Sequence, residues 1–482
     1  MKLARLIMLV VLLSGLRTAG RSQTSATPPT GWATTSPRGT TPQQAPTPEW
    51  WTSFQDAELT QLIQRAVANN LDLKLAAARV EEARAVRGIE KSALYPSLGA
   101  STSVTRQRER VPVMTTSGSS AFRALELNDF RIGFDSSWEL DVFGRIRNEV
   151  KAATNDFRAA EEDRRDVLVI LLGDLGTTYA DLRGFQLRLQ IAERNIQSQK
   201  DTVALTQARA KAGLATDLDV ERAIAQQETT SAVVPSLQAA IVSSIYRLSV
   251  LLGAEPGALR TELEASAPVP PVPPEVPVGL PSALLKRRPD VRRAEVEIAA
   301  AAARVKGAKA EYFPRFTLLG TAGRQATQLH DLSLSLGNFF SVGPAISLPV
   351  FTGGRIRSNI ALQNARLTQA QLRYRSAVLG ALQETEDALV NYSFEEERRD
   401  HLQDAVARSQ TAVQLSRERY RSGLADFLTV LDAERQLYNS EDLLAQSQIA
   451  VTTNLIALYT ALGGGWEVAA PSAPVQPNVP KP

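Results

Sequence analysis

Apolar residues recur at helical spacing over most of the chain, and the first clear case follows Asp56. The spacing i, i+3, i+4, i+7 places an apolar stripe on one face of a helix. The residues of this stripe are Leu59, Leu62, Ile63 and Ala66. A second helical pattern begins after Asn69-Asn70 and stops before Pro96, because the residue that precedes a proline is disfavoured in a helix. The pattern predicts helices over residues 56–94.

Other stretches alternate apolar and polar residues, as in a strand with two different faces. The clearest stretch is 129–141, whose more apolar face holds Phe130, Ile132, Phe134, Ser136, Trp138 and Leu140. The predicted strands are 97–111, 129–141, 315–326 and 338–350. A loop is predicted from Pro112 to Asn128, where Ser, Thr and Gly are frequent. Pro344 weakens the last strand, since proline suits strand edges and bulges.

The longest helical patterns run from Arg145 to Ala212 and from Arg355 to Ser422, and neither contains proline. A helix of this length spans roughly 100 Å. A Gly-Leu-Ala turn follows each pattern, and a return helix follows each turn. We therefore predict helical hairpins over 145–252 and 354–462, with a kink at Pro235. A soluble antiparallel coiled coil is the alternative interpretation of the helices taken alone.

The second half of the chain repeats the first at an offset of 210 residues. The offset aligns Gly144 with Gly354, Gly213 with Gly423, and Gly253 with Gly463. A fixed offset of this kind indicates a duplicated structural unit. We assign repeat 1 to 51–265, a proline-rich linker to 266–281, and repeat 2 to 282–465, which also contains a predicted helix over 289–312.

The chain ends differ in composition from the repeats. Residues 1–20 are predicted to be a secretory signal, because Lys2 and Arg5 precede an apolar run of 11 residues. That run is too short to span a bilayer as a helix, although an N-terminal membrane anchor is an alternative. Segment 21–50 is rich in Thr, Ser and Pro and is predicted to be flexible or extended. Segment 466–482 is predicted to be disordered.

Charge and chemistry argue against nucleic-acid binding and catalysis. The net charge is +3 with both signs interspersed, so there is no nucleic-acid footprint. The absence of cysteine excludes disulfides, lipidation on cysteine and thiolate ligands. His330 and His401 lie in unrelated segments, and Glu395-Glu396-Glu397 is interpreted as a solvated helix face. We predict no enzymatic activity, no metal and no cofactor.

The strand faces suit the wall of a transmembrane barrel, with lipid on one side and water on the other. A half-buried soluble sheet gives the same alternation. The predicted signal segment favours the barrel, and no later window of 18 uninterrupted apolar residues predicts a transmembrane helix. Four strands cannot close a barrel, and an open edge cannot lie in lipid. Other copies of the chain would have to complete it, two giving eight strands and three giving twelve.

Over roughly residues 50–462 the chain resembles the TolC-like outer-membrane factors of the OprM/NodT branch. The residues that carry this resemblance are Trp50, Trp51, Phe54, Asp56 and Leu59; the run Leu285 to Arg292; the run Val350 to Arg355; Tyr420 to Gly423; and Leu431 to Ala433. The resemblance implies a mainly α-helical homotrimer. In such a trimer, a twelve-stranded barrel in the bacterial outer membrane continues into a long periplasmic α-helical barrel. A belt of mixed structure surrounds its waist.

Family members act as exit ducts of tripartite pumps. The resemblance therefore implies two partners, a periplasmic adaptor and an inner-membrane transporter of the RND type, and a cargo of drugs or small molecules. Many members of the branch carry a lipobox cysteine, whereas this chain has Leu16 there. Anchoring would then come from the barrel alone. The alternatives are a type I protein secretion system and, in another class, a secreted helical scaffold or adhesin.

The two Gly-Leu-Ala turns are predicted to be the hairpin tips and the docking surface for the adaptor. Glycine suits the left-handed position that ends a helix, and Thr or Asp can cap the next helix. The docking residues are Gly213, Leu214, Ala215, Thr216, Gly423, Leu424, Ala425 and Asp426.

A channel gate is predicted beside the second tip. Arg419 and Tyr420 lie about one turn before the tip and Asp432 about two turns after it, so all three are at similar height. The resemblance implies that Asp432 and Leu428 narrow the pore and that Tyr420 helps to hold the closed mouth. Thr429 and Ala425 replace an aspartate and an arginine of TolC, so the closed-state bonding must differ here.

Overall fold

The computed structural model describes residues 31–33, 40–41, 48–114, 120–333 and 337–468. The predicted signal segment, most of segment 21–50 and the tail from residue 469 lie outside the described residues. The main helices are α1 (Ala57–Asn69), α2 (Leu71–Ser92), α3 (Arg145–Lys211), α4 (Asp217–Ser231), α5 (Val233–Leu251), α6 (Arg260–Leu263), α7 (Pro281–Arg287), α8 (Pro289–Ala310), α9 (Arg355–Arg421) and α10 (Phe427–Ala461). The strands are β1 (Thr40–Thr41), β2 (Ser97–Met114), β3 (Ser120–Glu139), β4 (Val276–Pro277), β5 (Arg315–Ala326) and β6 (Asn338–Ser347). Short 3-10 helices cover Trp50–Phe54, Leu329–Ser333 and Trp466–Val468.

Four strands form one antiparallel sheet in the order β2-β3-β5-β6. Its register places most of the large apolar residues of the four strands on one face, because side chains alternate between faces along each strand. The rows of this face are Val104–Phe130–Ala326, Thr102–Ile132–Arg324, Ala100–Phe134–Ala322–Phe340, Leu98–Ser136–Gly320–Val342 and Trp138–Leu318–Pro344. Ser, Thr, Gly and charged residues dominate the opposite face. The sheet is therefore two-sided over most of its height.

The first β-hairpin is longer than the sequence predicted. Residues 112–128 were expected to form a loop, but β2 continues to Met114 and β3 begins at Ser120. Polar and apolar residues are mixed on both faces there, with Phe122 and Glu126 on one face and Leu125 and Glu109 on the other. The alternation that reveals a strand is therefore missing, while the backbone ladder still forms. At the other end, β3 stops at Glu139 and β6 at Ser347, before the predicted limits of 141 and 350. Pro344 lies in β6, which is an edge strand within the described sheet.

Two long helical hairpins leave the sheet. Helices α3 and α9 have 67 residues each, which corresponds to roughly 100 Å. The return path of the first hairpin breaks at Ala232 into α4 and α5, three residues before Pro235. Its counterpart in the second hairpin, α10, is unbroken over 35 residues.

Aromatic residues that precede α1 contact both repeats and hold them together. The Trp50 ring stacks on Tyr459 of α10 with centroids 5.5 Å apart, and Phe54 packs edge-on against both rings. Asp56 caps α1 through the Leu59 amide at 2.9 Å and also accepts a hydrogen bond from Tyr179 of α3 at 2.9 Å. The largest hydrophobic core of the described chain therefore lies where α1, α3 and α10 meet.

Glycines allow α3 and α10 to pack closely. A Cβ atom at Gly173 would lie 2.8 Å from the Thr460 hydroxyl, and one at Gly184 would lie 2.2 Å from Ile449. Glycine usually weakens a helix, yet α3 passes through these positions without a break. The close packing accounts for glycine at both sites.

One helical segment departs from the expectation that no helix could span a membrane. Residues Asp217–Leu251 are long and apolar enough to do so by length and composition, and 33% of the apolar window is buried. Core helices of soluble proteins also meet these criteria. The segment packs along α3 as the return path of the first hairpin.

We predict that Gly253→Ala destabilises the protein more than Gly213→Ala. Both glycines have a left-handed φ, +70° and +73°, which costs alanine about 1 kcal/mol or more. Only at Gly253 would the new Cβ also meet a backbone oxygen, that of Asn69 at 2.6 Å; nothing lies within 4 Å at Gly213. Gly253→Ala should lower the free energy of unfolding by at least about 1 kcal/mol more than Gly213→Ala does. Urea unfolding followed by the circular dichroism of the helices measures both values. Equal shifts in the two variants would refute the steric explanation.

Candidate functional site at the hairpin tips

The first tip is built by a Schellman turn and a capping box. Helix α3 ends when Gly213 takes φ +73°, and the Leu214 amide donates to the Arg209 carbonyl at 2.8 Å. Thr216 then caps α4, with the Asp219 amide donating to its hydroxyl and the Asp219 carboxylate accepting from the Thr216 amide. The tip therefore satisfies its own backbone groups locally.

The second tip repeats the turn of the first with a different cap. Gly423 takes φ +74°, and the Leu424 amide donates to the Arg419 carbonyl at 2.8 Å. Asp426 caps α10 by accepting from the Thr429 amide at 3.0 Å and from its hydroxyl at 2.6 Å. These two hydrogen bonds hold the pKa of the Asp426 carboxyl below its usual value. A negative charge is thus kept at the N-terminus of α10, where it is favourable.

Each tip presents one exposed leucine beside small residues. Leu214 is 65% exposed and Leu424 is 71% exposed. No atom lies within 4 Å of a Cβ placed on Gly213 or Gly423. Ala215 and Ala425 are partly buried, and Thr216 and Asp426 are exposed. The predicted docking residues therefore form two small, solvent-exposed and partly apolar projections.

The two tips touch each other. The Arg209 guanidinium of α3 lies 4.5 Å from the centre of the Tyr420 ring and donates to the Arg421 carbonyl at 3.3 Å. Tyr420 also packs edge-on against Phe427, with ring centroids 5.9 Å apart. A small core that includes Val430 and Leu431 surrounds this contact. The contact makes the two tips of one chain a joined unit.

Three of the four predicted gate residues are exposed and one is buried. Leu428 and Asp432 are both exposed and, four residues apart, share one face of α10. Arg419 is exposed as well, and the residues next to Arg419 and Asp432 in the chain, Tyr420 and Leu431, belong to the same apolar cluster. Tyr420 is buried between the hairpins, and its hydroxyl has no hydrogen-bond partner among the described residues.

A buried ion pair lies about one helical turn further from the tip than Tyr420 and Leu431. The Glu434 side chain is 1% exposed and accepts from Arg417 at 2.6 Å and from the Thr202 hydroxyl at 2.8 Å. Arg417 also donates to Ser198 at 2.6 Å. Glu434 and Arg417 belong to the second hairpin, and Thr202 and Ser198 to the first. This network therefore holds the hairpins together below the tips.

Sequence reasoning missed Arg209, Arg417 and Glu434. Arg209 could have been found, because it is the 210-residue counterpart of Arg419. The Arg417–Glu434 pair could not be found from the internal repeat, because Glu434 corresponds to Ile224 in repeat 1. Its burial was also unexpected, since a charged residue in an amphipathic helix is usually exposed.

The other candidate residues form no reactive site. The described residues contain no group of three or more His, Cys, Asp or Glu suited to a metal ion. The interpretation of Glu395-Glu396-Glu397 as a solvated face was wrong for two of the three. Glu395 accepts from Arg398 and Ser447, and Glu396 lies beside Tyr392 and Arg399. Consecutive residues of a helix point about 100° apart, so three in a row cannot share one face.

Comparison with known proteins identifies the class. The structure superposes on the outer-membrane channel OprN with a TM-score of 0.85 and 35% identity, covering 92% of this chain and 98% of that one. It also matches the MtrE outer membrane channel of Neisseria gonorrhoeae in its open state, with a TM-score of 0.74, 26% identity and coverage of 91% and 95%. The protein has the fold of these outer-membrane channels.

Sequence comparison identifies the family. The sequence model for outer membrane efflux proteins matches residues 62–254 and 280–464, one segment in each repeat. The chain is 32% identical over 417 residues to the solvent efflux pump outer membrane protein SrpC of Pseudomonas putida, covering 86% of this chain and 87% of that protein. It is 32% identical over 456 residues to the pyoverdine export outer membrane protein OpmQ of P. putida, with coverage of 92% and 93%. The chain belongs to the outer membrane efflux protein family, whose members are channels of the outer membrane rather than enzymes.

We predict that Arg417 and Glu434 are strongly coupled. Replacing either residue by Gln should lower the free energy of unfolding by about 1–3 kcal/mol. This is less than the cost of breaking a fully buried pair, because the Arg417 side chain is 30% exposed and solvent screens its charge. The double variant should cost clearly less than the sum of the two. Urea unfolding of all four proteins gives the coupling energy.

The exposed pair Arg84–Glu81 of α2 is the matched control, with 2.9 Å between its charged atoms. Its coupling should stay below about 0.5 kcal/mol. Additive costs at Arg417 and Glu434 would show that their contact does not hold the hairpins.

Proposed function

We propose that the protein is the outer-membrane exit duct of a tripartite efflux pump and carries drugs or other small molecules from the periplasm to the exterior. The observation that carries this proposal is a two-faced sheet with two open edges, continued by hairpins roughly 100 Å long. Such a chain is a segment of a tube. We propose that three copies close the tube.

The sheet edges support closure by identical copies. Among the described strands, β2 and β6 each pair on one side only, and the four strands alternate in direction. Strand β6 of one copy can therefore add to β2 of the next as an antiparallel pair. This head-to-tail contact closes a ring. Eight strands leave a barrel interior filled by side chains, so three copies and twelve strands are needed for a lumen.

The helices next to these edges support the same arrangement. Helix α9 continues from β6 and exposes Leu362 and Leu372, about 10 and 26 Å from its start. Helix α2 precedes β2 and exposes Val86 and Leu75 at about the same two distances from its end. Soluble surfaces rarely leave such apolar stripes uncovered. We propose that α9 of one copy packs against α2 of the next.

The tips support the roles of gate and docking surface. Leu428 and Asp432 occupy one exposed face of α10 just beyond the tip, so threefold symmetry would set an apolar ring above a charged ring. Such rings are common devices of gating and selectivity. The exposed Leu214 and Leu424 would meet a periplasmic adaptor, which connects the duct to an inner-membrane transporter of the RND type.

We predict that Leu428→Ala with Asp432→Ala raises the single-channel conductance of the trimer in planar bilayers, because both changes widen the constriction. The matched control is Leu218→Ala with Arg222→Ala, the 210-residue counterparts in repeat 1, which should leave conductance unchanged. Equal conductance of the gate variant and the unmodified protein would reject this gate.

We predict that Leu424→Glu and Leu214→Glu each abolish efflux in cells that express the cognate adaptor and transporter, because a charge replaces an apolar contact. The trimer and its conductance should stay unchanged. The control Leu329→Glu alters an exposed leucine next to the sheet, far from the tips, and should keep full efflux. Normal efflux by both tip variants would exclude docking through these leucines.

A further inference from the structure

One face of strand β2 changes from mainly apolar to basic after Val104. Below it, the residues on the apolar face are Leu98, Ala100, Thr102 and Val104; above it, the same face continues with Arg106, Arg108 and Arg110. The register with β3 is continuous across this change. A row of three arginines therefore follows directly on the apolar row, on the same side of the strand.

The arginine row lies above the four-stranded part of the sheet. Pairing of β3 with β5 begins at Phe130, which is opposite Val104. Beyond that level β2 and β3 continue as a two-stranded ribbon. At about 3.3 Å per residue and a strand tilt of about 40°, Arg106 to Arg110 stand about 5 to 15 Å above the apolar band. This height corresponds to the polar headgroup layer and the space just above it.

The arginines are held only loosely by the protein. Glu126 on β3 accepts from Arg106 at 2.6 Å and lies 3.8 Å from Arg108. The two arginine side chains are 73% and 71% exposed, and an ion pair so exposed contributes little energy. One carboxylate also cannot neutralise three guanidinium groups. The row keeps a net positive charge and free donor capacity.

The opposite face of the ribbon lacks this pattern. The β2 residues there are Thr105, Gln107, Glu109 and Val111, and their β3 partners include Asp129, Leu127 and Leu125. The positive row is thus confined to the side that continues the apolar face. A site for a cargo molecule would be expected on the lumen side instead.

We infer that Arg106, Arg108 and Arg110 bind the phosphate groups of an anionic lipid in the outer leaflet. Guanidinium groups match phosphate with paired hydrogen bonds, and basic residues at the headgroup level attract anionic lipids. The lipid chains would lie against the apolar row that starts at Val104. The inference rests on the proposal that the apolar face contacts lipid, and it adds a lipid site that duct function does not require.

The test measures binding of bisphosphorylated lipid A to the purified, full-length trimer in detergent with a chelator present. The unmodified protein should bind it about tenfold or more tightly than lipid A stripped of phosphate. In the variant R106Q/R108Q/R110Q this preference should vanish. The matched control R158Q/R194Q/R408Q removes three exposed arginines from α3 and α9 and should keep it.

Two results would overturn the inference: equal binding by the arginine-row variant and the unmodified protein, or no preference for phosphorylated lipid. Competition by inorganic phosphate at matched phosphate concentration would show a general anion site and also reject the lipid. Trimer assembly and bilayer conductance of the same variant are measured in parallel. They should remain normal, which separates failure of the lipid site from failure of the duct.

Discussion

Backbone amides and carbonyls cannot remain unpaired in lipid, and this constraint governs the assembly of the whole molecule. The four strands satisfy one another internally, but the outer edges of β2 and β6 have no partner within the described chain. Hairpins of 67-residue helices cannot supply one, because helical backbone groups are already paired. Only another strand can do so. A protein with this sheet in the outer membrane therefore needs further copies of itself, and the open apolar stripes of α2 and α9 fall at the same two edges.

The helical part follows a different rule, since packing rather than backbone pairing holds it together. About halfway along α3, aromatic rings and closely packed glycines join this helix to α10 around Trp50. Towards the tips, the apolar core shrinks to the cluster around Tyr420 and Phe427, and hydrogen bonds to Glu434 connect the hairpins. Few apolar contacts mean low local stability. The hairpins are thus most firmly joined about halfway along α3 and least firmly at the tips.

Most of the fold was predictable because periodicity and the internal repeat both report backbone structure. The alternation in 129–141 and the unbroken helical patterns gave the sheet and the hairpins, and Pro235 gave the break near Ala232. The upper part of β2–β3 was not predictable, because a ribbon with polar and apolar residues mixed on both faces has no alternation. At the tips, the glycine turns were visible in the sequence. The burial of Tyr420 and the Arg417–Glu434 pair were not, since they depend on how two hairpins far apart in sequence meet.

Both tips complete their own hydrogen bonding, through Schellman turns and side-chain caps. A partner therefore finds no open strand edge and no free helix end there to extend. For the adaptor docking proposed above, recognition would have to use the exposed leucines and the shape of the small tip, both of which make modest geometric demands. Attachment of this kind tolerates sequence change on either side. A duct that docks as proposed would consequently be exchangeable among pumps, with cargo choice left to the components upstream.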